Sequence, residues 1–314
     1  MRLAELEDLF DKGRVRSLML GDEAAGVVAA LDMEGRLYSV LNGEIMNWVN
    51  PDAYLQPRPH GKYLVPGGDG LWAAPEGTRL GYHYSAGAWR VPPGIGRVRY
   101  DVIEKASKAA VIRAEIDLVN NSGVGVPVVF ERRILVQGEP QAVTTSVEER
   151  ITYLGPRTLT RRQCLLAPWS LAPVPHGPGC TVVFPGVDAT AIWDLYDPSD
   201  AHRCRDGECW RTKTDGSVQY QIGLDATADW VEFVYPNRGI RVRRSASPIP
   251  AGQHYIDIAD APPNQEPGGK GARLSVYTDG TRGFTELEAA GGCPEQLEPS
   301  TVLTLDTKTR YAMG

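Results

Sequence analysis

The chain has 314 residues and 42% hydrophobic content, enough to bury one large core or two ordinary ones. A formal net charge of -6 argues against nucleic-acid binding as its main role, because phosphate recognition needs a basic face. No apolar run approaches the roughly 18 residues of a membrane span, so neither nucleic acid nor a membrane is an expected partner.

The opening "MRLAELEDLFDKGRVR" is charged throughout and lacks the apolar stretch of a signal peptide. The chain's five cysteines are an odd, scattered set, which reads as free thiols in a reducing cytoplasm. Leu3, Leu6 and Leu9 or Phe10 recur at helical spacing, so residues 1–14 are predicted to form a short N-terminal helix. After Gly13 the period changes to two. "VRSLML" and "GVVAALDM" read as strands, and "EGR" from Glu34 to Arg36 reads as a turn into "LYSVL".

"RVRYDVIEK" and "AAVIRAEIDLVNN" form a hairpin-like pair around Lys105 to Lys108. Ile112, Ala114, Ile116 and Leu118 share one face, and Arg113, Glu115 and Asp117 share the other, as in antiparallel strands with one wet side. The same alternation runs on through "VPVVFERRILVQ", "AVTTSVEERITYLG", "WVEFVYP" and "STVLTLDTKTRYAM". With 34 glycines and 24 prolines spread evenly as turn residues, the pattern implies an all-β fold. Residues 15–314 then form a single large antiparallel two-sheet sandwich. The segment 201–217, "AHRCRDGECWRTKTDGS", is expected to be a loop because it is so polar.

Three stretches carry candidate chemistry. In "GGDGLWAAPEG", Gly67, Gly68 and Gly70 free the backbone beside Trp72, and Pro75 fixes it before Glu76. This suits a pocket rim or a plain β-bulge. In "FTELEAA", Glu286 and Glu288 lie two apart on a strand and share a face. Buried, they would compete for protons as a general acid–base pair does; exposed, they are a solvated edge. "GYHYSAGAW" places His83 among Tyr82, Tyr84 and Trp89, either as flat faces for sugar C–H groups or as sheet packing.

The loops "IWDLYDPSD" and "HYIDIADAPPNQ" offer Asp194, Asp197, Asp257 and Asp260 as acceptors for hydroxyl groups or for calcium, without the positions of an EF-hand. His202, Cys204 and Cys209 are metal-ligand types at a spacing that matches no familiar zinc pattern. No GxSxG, P-loop or Rossmann fingerprint occurs, and no metal or other cofactor is expected.

Taken in order, "GGDGLWAAPEG", "WRVPPGI", "EERITYLG", "LLAPWSLAPV", "HYIDIADAPP", "TELEAAGG" and "QLEPSTVLTL" resemble the galactose-mutarotase-like superfamily, whose members resemble aldose 1-epimerases. The resemblance runs from about Val15 to the C-terminus and is closest to a bacterial branch. It implies a β-supersandwich with a carbohydrate on its concave face. It further implies a late glutamate as the base at the anomeric hydroxyl, matching Glu288 with Glu286 beside it. In hexose-phosphate mutarotase relatives a histidine protonates the ring oxygen; the matching segment here, "LAPWSLA", carries Trp169 at that position. An indole N–H is not a general acid, so His83 or Glu76 would have to substitute.

The expected site is therefore Glu288, Glu286 and His83 for chemistry, with Trp72, Glu76, Trp169, Trp89 and Asp257 for binding. Two functions follow: an epimerase-like enzyme, or a sugar-binding protein that lacks the catalytic pair. A structural module without a pocket is the third. For a phosphate, Arg132 and Arg133 face opposite ways on a strand, and Arg241, Arg243 and Arg244 are better placed because Arg241 and Arg243 share a face, although pairing with surface acids is the commoner arrangement. Oligomeric state is left open by the sequence.

Overall fold

A computed structural model describes residues 1–56, 63–82 and 91–314. His60, His83, Tyr84 and Trp89 lie outside the described residues. About 49% of the chain is strand and 9% helix. The helix Leu3–Gly13 presents Leu6, Leu9 and Phe10 to the interior and ends at Arg14, which takes a left-handed conformation (φ 53°). These side chains pack with Tyr54 of the short helix Asp52–Leu55 and with Tyr38 and Val40 on a four-stranded antiparallel sheet whose central strands are Ala25–Ala30 and Arg36–Leu41.

Two larger antiparallel sheets make the sandwich. In the ten-stranded sheet the order runs from the edge strand Arg203–Asp206 to the edge strand Asp101–Lys105, with the long strands Val302–Met313, Ala142–Tyr153, Gly125–Glu139 and Ala109–Val119 between them. The six-stranded sheet runs in the order Ile192–Asp194, Tyr220–Leu224, Leu274–Asp279, Phe284–Ala290, Ala167–Pro175, Gly70–Ala74. Alternation decides which side of each strand is buried. Ile112, Ala114, Ile116 and Leu118 point inward, and Arg113, Glu115 and Asp117 point out, as the period-two pattern predicts. The core gathers residues of both sheets, including Ile134, Val147, Val242 and Leu303 from one and Ile222, Val276, Leu287 and Ala289 from the other.

The polar segment after Ala201 is not a loop. Arg203–Asp206 and Cys209–Lys213 pair antiparallel as a hairpin at the sheet edge, turning at Gly207 with φ +61°. Polarity kept this hairpin out of the core without preventing its backbone from pairing. His202 stacks on Tyr220 with centroids 5.7 Å apart, and Cys204 is exposed. Among the described residues no group of His, Cys, Asp and Glu is placed to hold a metal ion, and no helix is long and apolar enough to cross a membrane.

The charged interior is the fold's most demanding feature. Arg132, fully buried, meets Asp69 Oδ1 and Glu149 Oε1, each at 2.6 Å, and also donates to the carbonyls of Gly35 and Asp69. Arg244 meets Asp69 Oδ2 at 2.5 Å and Ser170 Oγ at 2.6 Å. Their strand neighbours behave differently: Arg241 and Arg243, beside Arg244, reach Glu232 on the exposed face, and Arg133, beside Arg132, pairs with Glu131. The arginines weighed for a phosphate are thus paired with acids.

Candidate functional site

On the outer face of the six-stranded sheet lies a cleft of about 450 Å³. Strand register assembles its floor. Trp72 stands opposite Trp169, Leu171 opposite Glu288, and Glu288 opposite Ser275. One row further, Glu286 faces Tyr277, which faces Gln221. Thr285, Leu287 and Ala289 turn to the other side of the same strand, leaving Phe284, Glu286 and Glu288 on the cleft.

The two glutamates are buried, Glu286 with 9% and Glu288 with 1% of its surface exposed. Glu288 accepts from Trp169 Nε1 at 3.2 Å and from Gln221 Nε2 at 2.8 and 3.0 Å; Gln221 also reaches Ser275 Oγ at 3.0 Å. Burial, and then the charge of Glu286, hold the Glu288 carboxyl well above the usual range. Burial pushes Glu286 up to about 7, against the opposing pull of Arg36. Two carboxyls in one low-dielectric site cannot both ionise cheaply, so the pair retains a proton near neutral pH.

A second carboxylate supports the tryptophan wall. Glu34, in the left-handed conformation at φ 60°, is buried and pairs with Arg36 Nη2 at 2.8 Å. It accepts from Tyr63 OH at 2.7 Å and from Trp72 Nε1 at 3.3 Å. The Arg36 guanidinium lies 5.4 Å from the Trp72 ring centroid and so close over Gly70 that a Cβ there would meet it at 2.5 Å. Gly67, at φ +87°, leaves only 2.0 Å between a notional Cβ and the Trp48 carbonyl oxygen. Here the glycines serve close approach and a left-handed turn, and Trp72 closes edge-on to Trp169 with centroids 5.8 Å apart.

Of the residues expected from sequence, Trp72, Glu76, Trp169, Glu286 and Glu288 all line this cleft. His83 and Trp89 lie outside the described residues. Asp257 does not reach the lining: its carboxylate accepts the backbone N–H groups of Ala259 and Gly268 and shapes its own loop. Asp260 of that loop and Asp197 reach the cleft instead. Asp194 holds Ser199 and Arg203. Gln221, Tyr277, Gln219, Phe284 and Arg282 also line it; their sequence context carries no signal, because each sits in an ordinary strand or turn. A larger groove of about 520 Å³ runs along the opposite sheet edge beside Ala109, Ala110, Val111, Ile134 and Leu135. Its acids Glu104, Glu148 and Asp306 are not buried, so it lacks the perturbed pair that marks a chemical site.

The burial of Glu286 has a measurable consequence. In the unfolded chain its carboxyl titrates near 4.5, in the folded protein at about 7. As pH rises, the unfolded state gives up this proton first, so the group weakens the fold progressively between those values. Glu286→Gln should therefore melt at a higher temperature than wild type at pH 8 and close to it at pH 4.5. An identical shift at both pH values in thermal denaturation would contradict the burial argument.

Comparison with known proteins places the chain. Residues 8–228 match the model of the "Family of unknown function (DUF6786)", and the chain belongs to that family. No curated protein matches it in sequence. The Slr1438 protein of Synechocystis sp. PCC 6803 is similar in structure, with a TM-score of 0.60 at 14% identity over 96% of this chain and 97% of that one. A galactose mutarotase-like protein from Lactobacillus casei ATCC 334 gives 0.60 at 10% identity, over 94% and 100%. A galactose mutarotase related enzyme from Lactobacillus acidophilus gives 0.52 at 9% identity, over 94% and 97%. The fold is that of galactose mutarotase-like proteins, a large antiparallel β-sandwich with a short N-terminal helix.

Proposed function

We propose that this galactose mutarotase-like chain binds a pyranose in the cleft of its six-stranded sheet and exchanges the sugar's anomers, with Glu288 as the base. The observation that carries the reading is the buried Glu286–Glu288 pair beneath a tryptophan wall. Aromatic faces suit sugar C–H groups, and a base needs a carboxyl whose proton affinity lies near or above neutrality. Fold likeness alone would not assign an activity; the site residues add the chemistry.

In the proposed step the ionised form of Glu288, with the pair's shared proton on Glu286, accepts the proton of the anomeric hydroxyl as the C1–O5 bond breaks. The bonding pair passes to O5, which takes a proton from Glu76, and C1 becomes an aldehyde carbon. Rotation about C1–C2 and reversal of both proton transfers, with O5 attacking the other face, gives the second anomer. Trp169 and Gln221 fix the Glu288 carboxylate in place. One observation favours a second reading, a binding protein without turnover. The groups donating to Glu288 beside the cleft are an indole N–H and an amide N–H, and both hold their protons.

A saturation-transfer NMR screen against aldoses, amino sugars, uronic acids and oligosaccharides tests the shared premise. Transfer to at least one aldose, reduced on replacing Trp169 with alanine, is the expected result. Absence of transfer to every sugar contradicts both readings.

A further inference from the structure

A sugar brings more acceptors than donors: each hydroxyl does both, and the ring oxygen only accepts. A cleft that holds one therefore needs N–H or O–H groups as well as carboxylates. Around the two glutamates such donors are committed within the protein. Trp169 Nε1 and Gln221 Nε2 go to Glu288, and Trp72 Nε1 goes to Glu34. Tyr277 OH donates to Asp279 Oδ2 at 3.0 Å and accepts from Gln219 Nε2 at 3.1 Å. Arg282 leans toward Asp279, 3.8 Å away.

Tyr196 is arranged differently. It follows the strand Ile192–Asp194 at the edge of the six-stranded sheet and lines the cleft with 42% of its surface exposed. Its hydroxyl oxygen accepts the backbone N–H of Asp260 at 2.8 Å, so a second segment of chain holds the ring in place. That contact uses a lone pair of the oxygen and leaves the O–H itself uncommitted. Among the described residues none accepts its proton. Partial burial, then the charge of Glu76 and more weakly those of Asp260 and Glu288, hold this phenol above its usual range. It therefore remains a donor throughout the neutral range.

We propose that Tyr196 is a ligand-binding residue of the cleft, its hydroxyl donating a hydrogen bond to an oxygen of the bound sugar. The inference rests on the reading of the cleft as a sugar site. A ring already held by Asp260 loses little freedom when a ligand arrives. The sugar oxygen it meets gives up a water, and an acceptor left without a replacement donor would weaken binding.

Isothermal titration of wild type and Tyr196→Phe tests the pairing, because phenylalanine keeps the ring and removes only the O–H. The probes are glucose and galactose with their 1,5-anhydro, single deoxy and 5-thio analogues, each of which removes one oxygen or replaces it by sulfur. A parent sugar that binds wild type should bind Tyr196→Phe roughly two- to tenfold more weakly, the size of one neutral hydrogen bond. For one analogue that loss should vanish, and the analogue identifies the oxygen that Tyr196 reaches. The variant also leaves the Asp260 N–H without its acceptor, and a loosened loop would weaken every analogue alike. Equal loss across the whole set therefore overturns the pairing, as does unchanged affinity of the variant for the parent sugar; either result leaves the sugar cleft standing. Failure of every probe to bind wild type overturns the pairing and the sugar reading together.

Discussion

Glu288→Gln is expected to slow anomer exchange by roughly 10²–10⁴-fold, the usual contribution of a positioned base, while sugar affinity changes only severalfold. The substitution keeps the volume of a side chain that is buried and held by Trp169 and Gln221, so packing against Leu171 and Ser275 is preserved. What disappears is the capacity to accept a proton from the anomeric hydroxyl, together with one of the two oxygens that Gln221 reaches. Magnetisation-transfer NMR reads the exchange rate directly, and ligand titration reads affinity. Loss of affinity in step with rate would mean that Glu288 holds the sugar without acting on it. An unchanged rate would remove it from the chemistry.

The second large effect is on the fold. Arg132→Ala should destabilise the protein by roughly 3–5 kcal/mol, because it strands buried carboxylates without their partner. Burial already holds the Glu149 carboxyl above its usual range against the pull of Arg132, so without the guanidinium it would have to protonate. Arg133→Ala, one residue along on the exposed face beside Glu131, should cost no more than about 1 kcal/mol. Urea denaturation of the two variants measures the contrast, and similar losses for both would contradict the assignment of buried and surface roles. Arg132 also ties the carbonyls of Gly35 and Asp69, which flank Arg36 and Gly70. Sugar binding should therefore weaken in Arg132→Ala through a loosened Trp72 wall.

Much of this was legible in the sequence because a strand's period of two fixes what shares a face. That rule put Glu286 with Glu288 and split Arg132 from Arg133. It could not say which member of a split pair turns inward, since burial depends on the sheet that packs above. Glu34 and Arg36 show the limit most plainly. Glu34 to Arg36 read as a turn, and the turn is there, yet nothing local shows that both charged side chains are buried as an ion pair behind Trp72. The opposition of Trp72 and Trp169, and of Leu171 and Glu288, depends on pairing between strands far apart in sequence. A local pattern does not encode it. The hairpin after His202 was hidden for the opposite reason, as an edge needs no apolar side.

The most direct test of the central claim is anomer exchange itself, measured by two-dimensional exchange NMR on the tightest-binding aldose as wild-type protein is added. The account predicts cross-peaks between anomers whose rate rises in proportion to protein concentration above the buffer rate. Binding with exchange held at the buffer rate would contradict catalysis and leave the cleft as a sugar receptor.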